Sequence, residues 1–104
     1  MKAVQRALAT DTAMTSELNR ERAAGLGRTA RRLEEALDAC AASRAELERL
    51  GRGPQRTALL AAYATHRAEA ERQRWNLEVQ REAMGLRRHD ELDACYPRPA
   101  LIRD

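Results

Sequence analysis

The stretch Leu50-Gly51-Arg52-Gly53-Pro54 decides the fold, because it is the one strong chain-reversal signal between two long helix-forming segments. Gly51 suits the left-handed residue that closes a helix. Pro54 suits the first turn of the next helix, where its missing N–H is no loss. The sequence therefore predicts a first helix over 11–50, a turn over 51–54 and a second helix over 55–95.

Apolar residues of the first segment recur at alternating spacings of four and three, which is the seam of a coiled coil. Antiparallel pairing around the turn sets Leu47 near Leu59 and Ala30 near Leu77. The seam residues are Leu26, Ala30, Leu33, Leu37, Cys40 and Leu47. These patterns predict an all-α, coiled-coil-like antiparallel two-helix hairpin.

The composition indicates that such a hairpin has a thin core. Apolar residues make up 43% of the chain, yet much of that count is alanine and only 3% of residues are aromatic. Companion seam positions on the second helix are polar, among them His66 and Gln73. Because a thin, half-polar seam packs poorly alone, we expect dimerisation or a partner to complete the hairpin to a four-helix bundle.

The two ends of the chain differ in sequence pattern from the two predicted long helices. Residues 1–10 are weakly helical, and residues 10–12 (Thr-Asp-Thr) offer helix-capping side chains. After the second helix, Pro97 and Pro99 predict an extended tail over 96–104. A frayed terminus is the more common behaviour of such a tail, and the alternative is that its apolar residues dock in a groove or add to a partner sheet. These docking candidates are Tyr96, Leu101 and Ile102.

A second apolar stripe lies on the face of the second helix opposite the seam, at 100° per residue. A lone hairpin would leave this stripe in water, and an exposed strip with a tryptophan is typical of a contact site. We predict a partner or oligomer interface there. The alternatives are that residues 1–10 fold over the stripe, or that the tryptophan has no role. The stripe residues are Ala68, Trp75, Val79, Ala83 and Leu86.

No set of residues predicts a catalytic, cofactor or metal site. Cys40 and Cys95 lie too far apart along the hairpin for a disulfide, which leaves an intermolecular bond through Cys95 open. Cys40 can lie beside His66, but zinc needs four ligands, or three and water, and no third ligand is near. The Glu-x-x-His unit of ferritin-like iron sites is also absent. We therefore expect no enzymatic activity.

The net charge of +3 raises the alternative of a nucleic-acid-associated basic hairpin. That alternative would use Arg52, Arg56 and the tail arginines Arg98 and Arg103. Phosphate binding favours a basic stripe along the molecule, whereas each of the two predicted long helices has nearly equal numbers of acidic and basic residues. Nucleic acid is therefore the less favoured partner.

Two patterns bear on location. No apolar run approaches the roughly 20 residues of a membrane helix, and the N-terminus lacks the apolar core of a secretory signal. We expect a cytoplasmic protein with reduced cysteines.

The hairpin shape is similar to that of rod-like stalk or chaperone proteins of flagellar and type III secretion systems, through coiled-coil character alone. The turn lacks the Trp-x-Gly of small secreted helical-hairpin proteins, and Trp75 lies in mid-helix. The expected function is a non-enzymatic protein–protein interaction module: an adaptor, a chaperone or an assembly subunit. Its partner would be itself, as a homodimer, or another helical protein.

Overall fold

The described part of the chain forms three helices, two of them long and packed against each other. The computed structural model describes the backbone of residues 2–103 and the side chains of residues 12–103. Helix α1 runs from Lys2 to Leu50, α2 from Arg56 to Ala83 and α3 from Asp90 to Cys95. The all-α, two-helix packing is confirmed. Completion to a four-helix bundle remains a prediction.

The reversal between α1 and α2 occurs at the predicted turn. Gly51 has a φ of 60°, the left-handed conformation expected of it. Its amide donates to the Leu47 carbonyl at 3.0 Å, which closes α1. The Arg56 guanidinium then donates to the Gly51 carbonyl oxygen at 3.1 Å and ties the start of α2 to the end of α1.

The seam between α1 and α2 contains two apolar clusters. One lies near the turn, where Cys40, Leu47 and Tyr63 are buried with Leu59 packed against them. The other lies further along, where Ala30 packs against the buried Leu77. Both clusters agree with the predicted register, because they unite Leu47 with Leu59 and Ala30 with Leu77. The second cluster has the buried residues Leu33, Ala36, Ala70, Leu77 and Leu92.

Helix α1 is longer than predicted, because it begins at Lys2 and continues without a break to Leu50. The predicted boundary at residues 10–12 is wrong. Threonine and aspartate each cost a helix interior at most about 0.7 kcal/mol relative to alanine, and no glycine or proline occurs before Gly25. The backbone of residues 2–10 thus continues α1 and does not fold back over α2. The side chains of residues 1–11 lie outside the described part.

Helix α2 is shorter than predicted, because it ends at Ala83 and a separate short helix covers 90–95. Gly85 adopts a φ of 87°. Its amide donates to the Glu82 carbonyl at 3.0 Å, and the Leu86 amide donates to the Arg81 carbonyl at 2.9 Å. This pair of bonds is a Schellman motif, which satisfies the last carbonyls of a helix and reverses the chain. The prediction of one helix over 55–95 missed it.

The unequal helix lengths leave much of α1 without a neighbour. At 1.5 Å per residue, α1 is about 73 Å long and α2 about 42 Å, and the longest dimension of the molecule is 77 Å. Partial burial on α1 begins at Gly25, and every described residue before it, from 12 to 24, is exposed. The N-terminal part of α1 therefore projects from the hairpin as a single helix, which we call the projecting arm.

The two helix-end assignments can be tested with one pair of glycine substitutions. Gly27 lies inside α1, where an added Cβ would be 3.7 Å from the Arg31 side chain, an ordinary contact. Gly27→Ala should raise the free energy of unfolding by about 0.5–1 kcal/mol. Gly85→Ala should lower it by about 1–2 kcal/mol, because an alanine is strained at positive φ. Urea denaturation measures both.

The opposite result at Gly85 would contradict this structure. If Gly85→Ala stabilises the protein as much as Gly27→Ala does, then α2 continues through residue 85 in solution and the Schellman motif does not form.

Candidate interaction surfaces

The predicted stripe on α2 is exposed along its whole length. Trp75 is the largest member, and 65% of its surface is accessible. Val79 and Leu86 are also exposed large apolar residues, and Ala68 and Ala83 are exposed as well. Ala68 to Ala83 belong to α2, whereas Leu86 follows the Schellman turn. The structure thus brings the helical members onto one face and places Leu86 just past the end of that helix.

The stripe is exposed to solvent because α1 and the C-terminal segment, as far as they are described, pack on other faces of α2. Tyr63, Ala70 and Leu77 face α1 and are buried. Arg67 and Arg74 face the C-terminal segment and bond to it. Neither α1 nor the tail therefore reaches the face that carries Trp75.

The C-terminal tail docks on its own hairpin. Residues 96–103 run back along α2 toward the turn, and three of their backbone carbonyls accept side-chain hydrogen bonds. Arg74 donates to the Tyr96 carbonyl at 3.0 Å, Arg67 donates to the Pro99 carbonyl at 3.1 Å, and the Tyr63 hydroxyl donates to the Ala100 carbonyl. The tail is extended and lies in a groove of its own hairpin, whereas its docking on a partner remains a prediction.

The three predicted docking residues of the tail have different positions. Tyr96 packs against the cluster around Leu33 and Leu77, and Ile102 packs against the cluster around Cys40. Leu101 points away and is exposed. Tyr96 and Ile102 therefore anchor the tail, and Leu101 does not.

Arg74 is the central contact between the tail and α2. Its side chain is only 4% exposed, and its guanidinium pairs with Asp93 of α3. It also donates to Glu78 at 3.3 Å and to the Tyr96 carbonyl. A buried guanidinium needs such partners, because an unpaired buried charge is costly. Sequence analysis missed this role, since an arginine among arginines has no pattern that marks it as buried.

Tyr96 links the tail to α1. Its hydroxyl donates to Glu34 at 3.4 Å. Burial, followed by the charge of Glu34, raises the pKa of the Tyr96 phenol. The phenol therefore stays protonated and able to donate at neutral pH.

The projecting arm is a second exposed surface, and sequence analysis did not identify it. Met14 is 64% exposed and Leu18 is 50% exposed, four residues apart on one face. The sequence signal for this surface was Gly85. If Gly85 is taken as the end of α2, then α2 is too short to reach Leu18 of α1, and Leu18 has no residue of α2 opposite it.

The two cysteines lie in different environments. Both cysteines are free, Cys40 buried and Cys95 exposed. Burial raises the pKa of the Cys40 thiol, and the charge of Arg67 partly opposes this rise. Among the described residues, no group of three or more His, Cys, Asp and Glu side chains is placed to hold a metal ion.

The arginines of the nucleic-acid alternative have different surroundings. Arg98 pairs with Glu71 at 3.2 Å and lies 4.0 Å from Glu78. Arg56 is engaged with the Gly51 carbonyl, whereas Arg52 is exposed in the turn. Acidic neighbours thus offset part of the charge on which that alternative depends.

A separate finding concerns membranes. In the described part of the chain, none of the helices has a stretch long and apolar enough to cross a bilayer.

Replacing Arg74 should release the tail. Arg74→Met removes the bonds to Asp93, Glu78 and the Tyr96 carbonyl, so the free energy of unfolding should fall by about 1.5–3 kcal/mol. Amide hydrogen exchange over residues 90–103 should accelerate more than exchange in α1.

The matched control is Arg44→Met, which breaks the exposed i,i+4 pair with Glu48. An exposed pair of this kind contributes at most about 1 kcal/mol. If both variants lose equal stability and tail exchange is unchanged, Arg74 does not hold the tail.

The two thiols should differ in reactivity. In the native protein at neutral pH, Cys95 should react with a thiol reagent much faster than Cys40. The thiolate is the reactive form, and the raised pKa of Cys40 lowers its thiolate fraction while burial blocks access. Mass spectrometry of the labelled protein measures both rates. Urea should make the two rates similar, and equal rates in the native protein would contradict the burial of Cys40.

The chain was compared with family models, with curated proteins and with solved structures. None of the three comparisons finds a match.

Proposed function

We propose that this chain is a non-enzymatic helical-hairpin module for protein–protein interaction, an adaptor, chaperone or assembly subunit that binds through the stripe on α2. The observation that carries the proposal is the 65% exposure of Trp75, one helical turn from the exposed Val79, on a regular helix. Tryptophan is enriched among the residues that contribute most to binding energy at interfaces. Fully burying a large apolar side chain contributes about 1.5–3 kcal/mol.

The rigidity of the stripe supports this function. Ala68 to Ala83 lie on one uninterrupted helix that is fixed on its opposite face by α1. A surface that is already ordered loses little conformational entropy on binding. The straight line of apolar side chains suits a helical partner, whose side chains can pack along it.

The position of the tail also supports the stripe as the binding surface. Because the tail already occupies a groove of its own hairpin, its main apolar anchors, Tyr96 and Ile102, are engaged within the chain. The stripe remains free. The proposal includes a cytoplasmic location, supported by two unpaired thiols, which persist in reducing compartments.

Site-specific photo-crosslinking tests this function. A photo-reactive amino acid placed at Val79 should give a discrete crosslinked product in cells that express the full chain. A Trp75→Ser substitution in the same chain should abolish that product, because the stripe loses its largest apolar side chain. Mass spectrometry identifies the crosslinked protein.

The matched control places the same amino acid at Ala42, which is exposed on the outer face of α1. That position should give no discrete product. Absence of any product at Val79, or equal products at both positions that persist with Trp75→Ser, would overturn the proposed function.

A further inference from the structure

We propose that the partner of the stripe is a second copy of this chain, packed antiparallel against α2 about a two-fold axis at the level of residue 77. This inference rests on the proposed function and names the occupant of the same surface. Its basis is the pattern of apolar and charged residues along the exposed face of α2.

The exposed face has the spacing of a coiled-coil seam. From Ala68, the residues at alternating spacings of four and three are Arg72, Trp75, Val79 and Glu82. Each of them is exposed. Alternate spacings of four and three place residues on one line facing a neighbouring helix. The α2 helix thus has two seams, one against α1 and one against solvent.

The seam that faces solvent, which we call the outer seam, is complementary to itself when two copies run antiparallel. With the axis at residue 77, Trp75 lies opposite Val79 of the second copy, and Arg72 lies opposite Glu82. Two-fold symmetry makes each pairing occur twice. Apolar residues therefore meet apolar residues, and each charge meets the opposite charge. The small residue Ala68 lies at the level of Leu86 of the second copy, which follows the end of α2 in that copy.

Other arrangements lose this match. A parallel pair would place Arg72 against Arg72 and Glu82 against Glu82, and like charges at a seam disfavour that pairing. An antiparallel pair with its axis between residues 73 and 74 would place Arg72 opposite Trp75, and Glu82 opposite Thr65. The axis at residue 77 is the arrangement that pairs both charges.

The two charged residues are free to exchange partners. Arg72 pairs locally with Glu69 at 3.1 Å, with 67% of its side chain exposed. Glu82 lies 3.0 Å from His89 and is 56% exposed. Exposed pairs of this kind are weak, so contacts across the two-fold axis can replace or extend them.

The size of the seam indicates a reversible dimer. Residues 68–82 cover about 21 Å of helix, or four turns. A stable interface of ordinary size covers about 800 Å² on each partner, and four turns of one helix provide less. We therefore expect the monomer and the dimer to exchange with concentration.

Sedimentation equilibrium of the full chain with charge-reversed variants tests the proposal. The wild-type protein should dimerise with rising concentration. Arg72→Glu and Glu82→Arg should each weaken dimerisation at least tenfold, since each places like charges opposite each other twice. The double variant, which exchanges the two charges, should recover the wild-type dissociation constant within about threefold.

Arg49→Glu is the matched control, because Arg49 pairs with Glu46 on α1 at the same i,i+3 spacing as Arg72 with Glu69. It should leave dimerisation unchanged. Circular dichroism verifies that every variant keeps its helices. A variant that loses them is replaced by the milder Arg72→Gln or Glu82→Gln, which should weaken dimerisation in the same direction.

Three outcomes would overturn the inference: a wild-type monomer at all concentrations, a dimer indifferent to Trp75→Ser, or a double variant as weak as the single ones. Its failure is distinguishable from that of the proposed function. A monomeric chain whose Val79 crosslinks to a different protein, in a Trp75-dependent way, refutes the second copy and keeps the interaction module. A Val79 position that captures nothing refutes both.

Discussion

The left-handed conformation of Gly85 is the constraint on which the rest of the structure depends. By ending α2 at Ala83, it prevents the two helices from pairing along their full length. The N-terminal part of α1 is consequently left without a neighbour. The same reversal sends α3 and the tail back along the hairpin, where they cover part of its surface. One backbone conformation thus determines which surfaces are buried and which remain in water.

The returning segment compensates for the thin core of the hairpin. Two helices with an alanine-rich seam bury little apolar surface, and the second helix contributes the polar Gln73 to that seam. Leu92, Tyr96 and Ile102 add apolar contacts from a third layer. Arg74 makes this layer possible, because its buried guanidinium pairs with the Asp93 carboxylate and donates to the Tyr96 carbonyl. The hairpin therefore stabilises itself in part with its own tail.

The tail covers only part of the surface of α2. The tail packs beside the face that meets α1 and leaves the opposite face of α2 exposed, with Trp75 near its centre. In the proposed dimer, arginine and glutamate on that face favour the antiparallel direction, since charged residues at a seam favour one orientation of a partner helix over the other. The projecting arm has a second exposed apolar face, formed by Met14 and Leu18, which is separate from the stripe.

The sequence by itself determined the hairpin, because Gly51 and Pro54 are local signals and the four-three spacing sets the register of Leu47 and Ala30. It also determined that the Trp75 stripe lies opposite the seam, since helix periodicity alone decides this. The end of α2 was also encoded locally, in Gly85, but an unbroken apolar pattern through Met84 and Leu86 concealed it. Only the tertiary structure decided the burial of Arg74 and the docking of the tail, because both depend on groups 19 to 37 residues apart in sequence that meet when the chain reverses. No local sequence pattern specifies these long-range contacts, because they depend on the groove that the packed helices leave for the tail.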